Sequence, residues 1–122
     1  MRPGKYGERM LSVGPYGVYA VQDQLHALVV FESPNRLFDF ELPGSELLSH
    51  LVGKGNVVLA ITNDWRSHGG CLVEEWTQRK FEVEGLGVKP LKTVLKYEGD
   101  EPPAGWFMDA RNVTYKVTFG QS

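Results

Sequence analysis

The chain has 122 residues, a formal net charge of -2, 42% hydrophobic and 23% charged residues, and a single cysteine. The length suits one domain that buries its own core. The charge balance lacks the basic footprint of a protein held to nucleic acid by counterion release. No apolar run approaches the length of a membrane span, and Cys71 alone cannot build a disulfide framework, so a reducing, cytoplasmic setting is the expectation.

Residues 1–9 carry Arg2, Lys5 and Arg9 without an apolar h-region. They read as a flexible N-terminal segment of a single domain spanning 1–122, not as a secretory signal. Asn112-Val113-Thr114 matches a glycosylation sequon, which without that signal reads as a chance match.

From residue 16 onward, short β-rich runs alternate with Gly, Pro and Asn punctuation. Tyr16 to Val21 is a predicted strand. Leu25 to Phe31 is a second, apolar on both faces and therefore expected to be covered on both. Ser33-Pro34-Asn35-Arg36 has turn chemistry, and beyond it Phe38, Phe40 and Leu42 alternate with Asp39 and Glu41. The pair reads as a hairpin with one buried face.

One helix is predicted at about 45–52. Ser45 can cap it, Glu46 suits its first turn and Gly53 its end. Leu47, Leu48, Leu51 and Val52 fall within one stripe at helical spacing.

Asn56 to Thr62 is again apolar on both faces, and 63–70 reads as a polar loop. Cys71 to Val83 fits either a helix or two strands joined near Gln78, with strands preferred because glycines bracket the segment. Pro90 to Tyr97 is a further strand, 99–105 an exposed Pro-rich loop, and Asn112 to Phe119 a closing strand. The expected fold is therefore α+β, mainly antiparallel: a small barrel or sandwich of about seven strands with one short helix.

Chemistry concentrates in Thr62 to Cys71, where Asp64, Trp65, Arg66, His68 and Cys71 crowd together. A catalytic reading pairs Cys71 with His68 and uses Asp64 as orienter. Against it, triad partners normally converge from separate elements, and a lone Cys often packs as a small hydrophobe. A metal reading adds His26 or His50 to His68 and Cys71, but a structural zinc site wants four ligands, usually with more cysteine.

A recognition reading rests on Trp65 beside Arg66, residue types enriched where binding energy concentrates. Trp106 repeats the motif of a large aromatic after a turn-rich segment; the plainer alternative is that both tryptophans plug the ends of the fold. A last reading gathers Lys92, Lys96 and Lys116, with Arg111, into a stripe for single-stranded nucleic acid, on condition that their strands pair. Outward lysines more often keep a strand edge soluble.

These features favour a small non-enzymatic binding protein, inhibitor-like or immunity-like. It would contact another protein or a small ligand through Trp65, Arg66, Asp64, His68 and Trp106 on loops at one end, with no cofactor and no bound metal. Exposed strand edges leave a homo-oligomer open.

Overall fold

The computed structural model describes residues 11–22, 27–44 and 46–107 and the backbone of 113–116. Among these residues it has nine strands, all paired antiparallel, and one short 3-10 helix at Ala104–Trp106. Strands β1 (Leu11–Val13), β2 (Tyr16–Gln22), β3 (Ala27–Glu32) and β4 (Leu37–Glu41) form one sheet in sequence order. The second contains β5 (Leu47–Lys54), β6 (Val57–His68), β7 (Cys71–Glu84), β8 (Gly87–Glu98) and β9 (Val113–Lys116), in the order β8-β7-β6-β5-β9.

The two sheets pack face to face as a sandwich. Leu11, Val13, Tyr16, Val18, Val29 and Phe31 from the first meet Leu48, Leu51, Val58, Ala60, Phe81 and Val83 from the second. Phe31, Phe40 and Phe81 form an aromatic centre, with Phe40 and Phe81 centroids 5.1 Å apart. The alternation at 37–42 does what its pattern requires: Phe38 and Phe40 turn toward this core while Leu37, Asp39 and Glu41 are exposed. The predicted turn is present, with Ser33 N–H donating to the Arg36 carbonyl at 2.9 Å.

The strand at 56–62 does have two covered faces. Val58 and Ala60 enter the sandwich core, while Leu59 and Ile61 join Val52 and Trp76 in a second cluster on the outer face.

The expected helix at 45–52 is a strand, β5. The register of β5 against β6 jumps between Leu48 and His50, leaving Ser49 as the extra residue of a bulge. A bulge inserts one residue into a period of two. Leu48 and Leu51, three apart, therefore face the same core, and Val52 faces the opposite cluster. Helical spacing arises without a helix. Ser45, the assigned cap, lies outside the described residues, as do 1–9.

Two further expectations change. The supposed loop at 63–70 is mostly strand, since β6 runs to His68 and turns through Gly69-Gly70 alone. Both glycines have positive φ, 58° and 86°, which a two-residue primed turn demands. Cys71 to Val83 is one continuous strand rather than two, because β6 pairs along it from Cys71 to Glu82, β8 pairs on its other side from Glu75 onward, and Trp76, Thr77 and Gln78 are all buried. Of the closing strand, only 113–116 is described.

Glu46, assigned to a helix start by sequence, is 8% exposed and closes the core beside β6 and β7. Its carboxylate accepts from Arg79 Nε at 3.0 Å and Arg79 NH2 at 2.6 Å, and from Thr62 Oγ1 at 2.8 Å. Burial alone would raise the Glu46 pKa. The hydrogen bonds from Arg79 and Thr62 and the Arg79 charge outweigh it, so the net shift is downward from the ordinary 4.5.

A carboxylate held below its unfolded value stabilises the fold above that value and loses the contribution as pH falls. Unfolding free energy is therefore expected to be insensitive to this group above pH 4.5 and to drop as acid titrates it below that. Glu46→Gln removes that part of the acid dependence. Glu46→Ala, which strands Arg79, costs about 3 kcal/mol in denaturant unfolding, at the low end for a broken buried pair because Arg79 keeps some solvent. Equal acid profiles for the wild type and Glu46→Gln would contradict this role.

Candidate functional site

Strands β6, β7 and β8 outgrow the sheet that covers them. Burial along β6 ends at Thr62; Trp65 to His68 are exposed, and on β7 Val73 to Glu75 are half-buried and Cys71 and Leu72 exposed. The distal hairpin is thus an arm with two faces, and the pleat sorts the candidate residues between them. Asp64, Arg66 and His68 share the face that continues the sandwich interior, opposite Glu75, Val73 and Cys71. Trp65 and Ser67 share the outer face, opposite Glu74 and Leu72. Trp65 and Arg66, expected to act as one contact pair, point to opposite sides.

The inward face is a chain of charges. Glu75, 13% exposed in its side chain, lies 3.7 Å from Arg66 Nε and 3.6 Å from Lys96 Nζ. His68 Nε2 is 3.8 Å from Glu98. Asp64 sits four residues from His68 along the same strand, roughly 13 Å away at the usual rise. It cannot orient that imidazole. The carboxylate beside His68 is Glu98, which sequence alone did not single out because it belongs to β8, thirty residues on. Cys71 faces His68 across the turn and is exposed, not packed as a small hydrophobe.

None of the three described cavities is lined by His68 or Cys71. The described histidines, His50 and His68, do not converge on a metal. His50 pairs with Ile61 on the outer face, opposite to the side that His68 occupies, and His26 lies outside the described residues. No group of three or more His, Cys, Asp or Glu side chains placed to hold a metal ion occurs among the described residues.

The lysine stripe fails on topology. Lys92 and Lys96 stand on β8 at one edge of the five-stranded sheet and Lys116 on β9 at the other, with three strands between. Lys92 also falls within the register shift between β7 and β8, so it does not share a regular pleat with Lys96. Arg111 lies outside the described residues.

The outer face carries the apolar features. Trp65 is 56% and Leu72 70% exposed, and they are diagonal neighbours across β6 and β7. Tyr97 and Leu95, on the outer face of β8, are also exposed. Trp106 behaves differently from Trp65: it is half-buried and packs with Phe107 on the Val52, Leu59, Ile61 and Trp76 cluster.

The segment that carries Trp106 is pinned to the arm. Gly99 N–H donates to the Glu74 carbonyl at 3.0 Å, and Trp76 Nε1 donates to the Gly99 carbonyl at 2.9 Å. A Cβ on Gly99 would lie 2.7 Å from the Tyr97 ring, so only glycine lets the chain turn here without displacing Tyr97. Two cavities open on either side of this segment. One of 670 Å³ is lined by His50, Trp76, Asp100, Glu101 and Phe107 among others; one of 430 Å³ by Lys54, Gln78, Lys80, Leu95 and Trp106 among others.

Comparison with protein-family models, curated proteins and solved structures finds no match.

An exposed thiol on an open hairpin should react freely. In the native protein, Cys71 is expected to be alkylated by iodoacetamide without prior unfolding, and Cys71→Ser should change stability by less than about 0.5 kcal/mol. A native Cys71 that resists alkylation until the chain unfolds would overturn the placement of the turn.

Proposed function

We propose that this chain is a non-enzymatic binding protein that grips a protein partner with the outer face of its β6–β7 arm. The observation that carries the reading is the pairing of Trp65 and Leu72, two large apolar side chains more than half exposed on one face of a projecting hairpin. Single exposed hydrophobes are ordinary. Adjacent ones, continued toward Tyr97 on the next strand, form the kind of apolar centre that interfaces desolvate.

Asn63 and Glu74 are hydrogen-bonded beside this pair, a polar border of the sort that surrounds an interface centre. Asp64, Arg66 and His68 belong to the opposite face and take part in this reading only as a rim reached around the edge of the arm. Trp106 packs on the Val52, Leu59, Ile61 and Trp76 cluster and takes no part in this surface.

The enzyme reading on His68, Cys71 and Asp64 has less support. The three do not form a relay, and their surroundings are open to water, whereas pKa tuning and charge stabilisation work best in enclosed sites. The nucleic-acid reading loses the continuous stripe on which it depended.

The test is quantitative capture from native lysate on three immobilised baits: wild type, Trp65→Ala/Leu72→Ala, and Arg66→Ala. A genuine partner is expected on the wild type and on Arg66→Ala. Its recovery should fall at least tenfold on the double variant, in line with losing about 2 kcal/mol or more from an interface centre. Circular dichroism should show all three baits folded. Identical protein sets on the wild-type and double-variant baits would sink the proposal.

A further inference from the structure

The 670 Å³ cavity beside the 99–107 segment has a composition that selects a ligand class. Trp76 and Phe107 supply aromatic surface to its lining, and His50 stacks edge-on to Phe107 with centroids 5.1 Å apart. Its rim holds Asp100 and Glu101 on an exposed turn. Neither carboxylate has an ion-pair or hydrogen-bond partner among the described residues. Among the described residues, no Lys or Arg lines the cavity. On the other side of the same segment the 430 Å³ cavity holds Lys54 and Lys80 and, among the described residues, no acid. The described linings of two neighbouring recesses on one sheet face therefore differ in the sign of their charge.

Aromatic walls under unpaired carboxylates attract one kind of molecule above others. Ring quadrupoles present their negative face to a cation, and an alkylated ammonium is desolvated more cheaply than a metal ion while keeping its charge. The acids add long-range attraction, and their exposure leaves them free to reorient toward it. An anion would meet both like charge and π density. A neutral apolar molecule would gain the walls and nothing from the rim.

We propose that this cavity binds an organic ammonium group, with Trp76 and Phe107 packing against its alkyl substituents and Asp100 and Glu101 neutralising its charge. The group could belong to a free small molecule or to a lysine side chain, methylated or not, of another protein; the chemistry recognised is the same. The site is built from residues of β5, β7 and the 99–107 segment. It shares none of them with the Trp65–Leu72 surface, so either can fail without the other.

The test is isothermal titration calorimetry on the full chain at low ionic strength. The probes are choline, its neutral tert-butyl isostere in which carbon replaces nitrogen, and short peptides carrying lysine or trimethyl-lysine. Choline or the trimethyl-lysine peptide should bind, and which of them binds more tightly identifies the source of the group. The neutral isostere should bind at least about tenfold more weakly than choline.

Asp100→Asn/Glu101→Gln, on an exposed turn where folding is not at risk, should weaken binding about tenfold, and Lys80→Gln on the far side of the segment should leave it unchanged. Equal binding of choline and its neutral isostere would overturn the proposal. So would heat signals no larger than dilution for every ammonium probe up to about 50 mM, a concentration at which even a very weak specific site would fill.

Discussion

The Glu46–Arg79–Thr62 contact decides where this molecule stops being a sandwich. On one side of it lie Val58, Ala60, Leu48 and Phe81, sealed between two sheets. On the other, β6 and β7 continue with no second sheet over them. A sandwich open at one end exposes backbone and apolar edges there. A bidentate carboxylate–guanidinium pair, with a threonine hydroxyl satisfying a further lone pair, closes that end with a group that tolerates partial solvent. It also ties the entry to β5 to the middle of β7, so the point at which the arm emerges is fixed by a directional contact and not by apolar packing alone.

Beyond that point the arm has to be stable without a core. Its inward face answers with charges: Arg66 and Lys96 flank Glu75, and Glu98 stands near His68. Exposed pairs of this kind contribute little individually, and their value here is to keep one face wet and the register of three strands unambiguous. The outer face has no such lattice at its tip. There Trp65 and Leu72 remain exposed, while closer to the core the 99–107 segment folds back and covers Trp76, Leu59 and Ile61. The same sheet face thus passes from covered cluster, through two recesses, to bare apolar surface.

Much of this was legible in the sequence and some was not, for definite reasons. Segments with a buried face announce themselves: Phe38 and Phe40 by alternation, the 56–62 stretch by apolar residues on both faces. The Ser49 bulge produced a helical pattern in a strand, because inserting one residue makes i and i+3 share a face. The distal arm was invisible to periodicity: with neither face buried, nothing imposes alternation, and only Gly69-Gly70 hints at a tight hairpin. Reactive residues were found as types, but their grouping was read along the chain. The pleat instead separates Trp65 from Arg66, and β8 delivers Glu98 to His68. Strand order, which parted Lys92 and Lys96 from Lys116, is a non-local property that no local pattern encodes. Read locally, Glu46 is a helix-start acid, because its partner, Arg79, lies thirty-three residues away.

The central claim is that a sandwich carries a β6–β7 arm that leaves its protection at Thr62. Native-state amide hydrogen exchange, resolved residue by residue, measures this directly. Hydrogen-bonded amides of Val58 to Thr62 and Gln78 to Val83 should exchange only through global unfolding. Those of the distal arm, from Trp65 to Ser67 and Leu72 to Glu74, should exchange roughly a hundredfold faster through local opening. Uniform protection from Val58 to the tip of the arm would contradict the account.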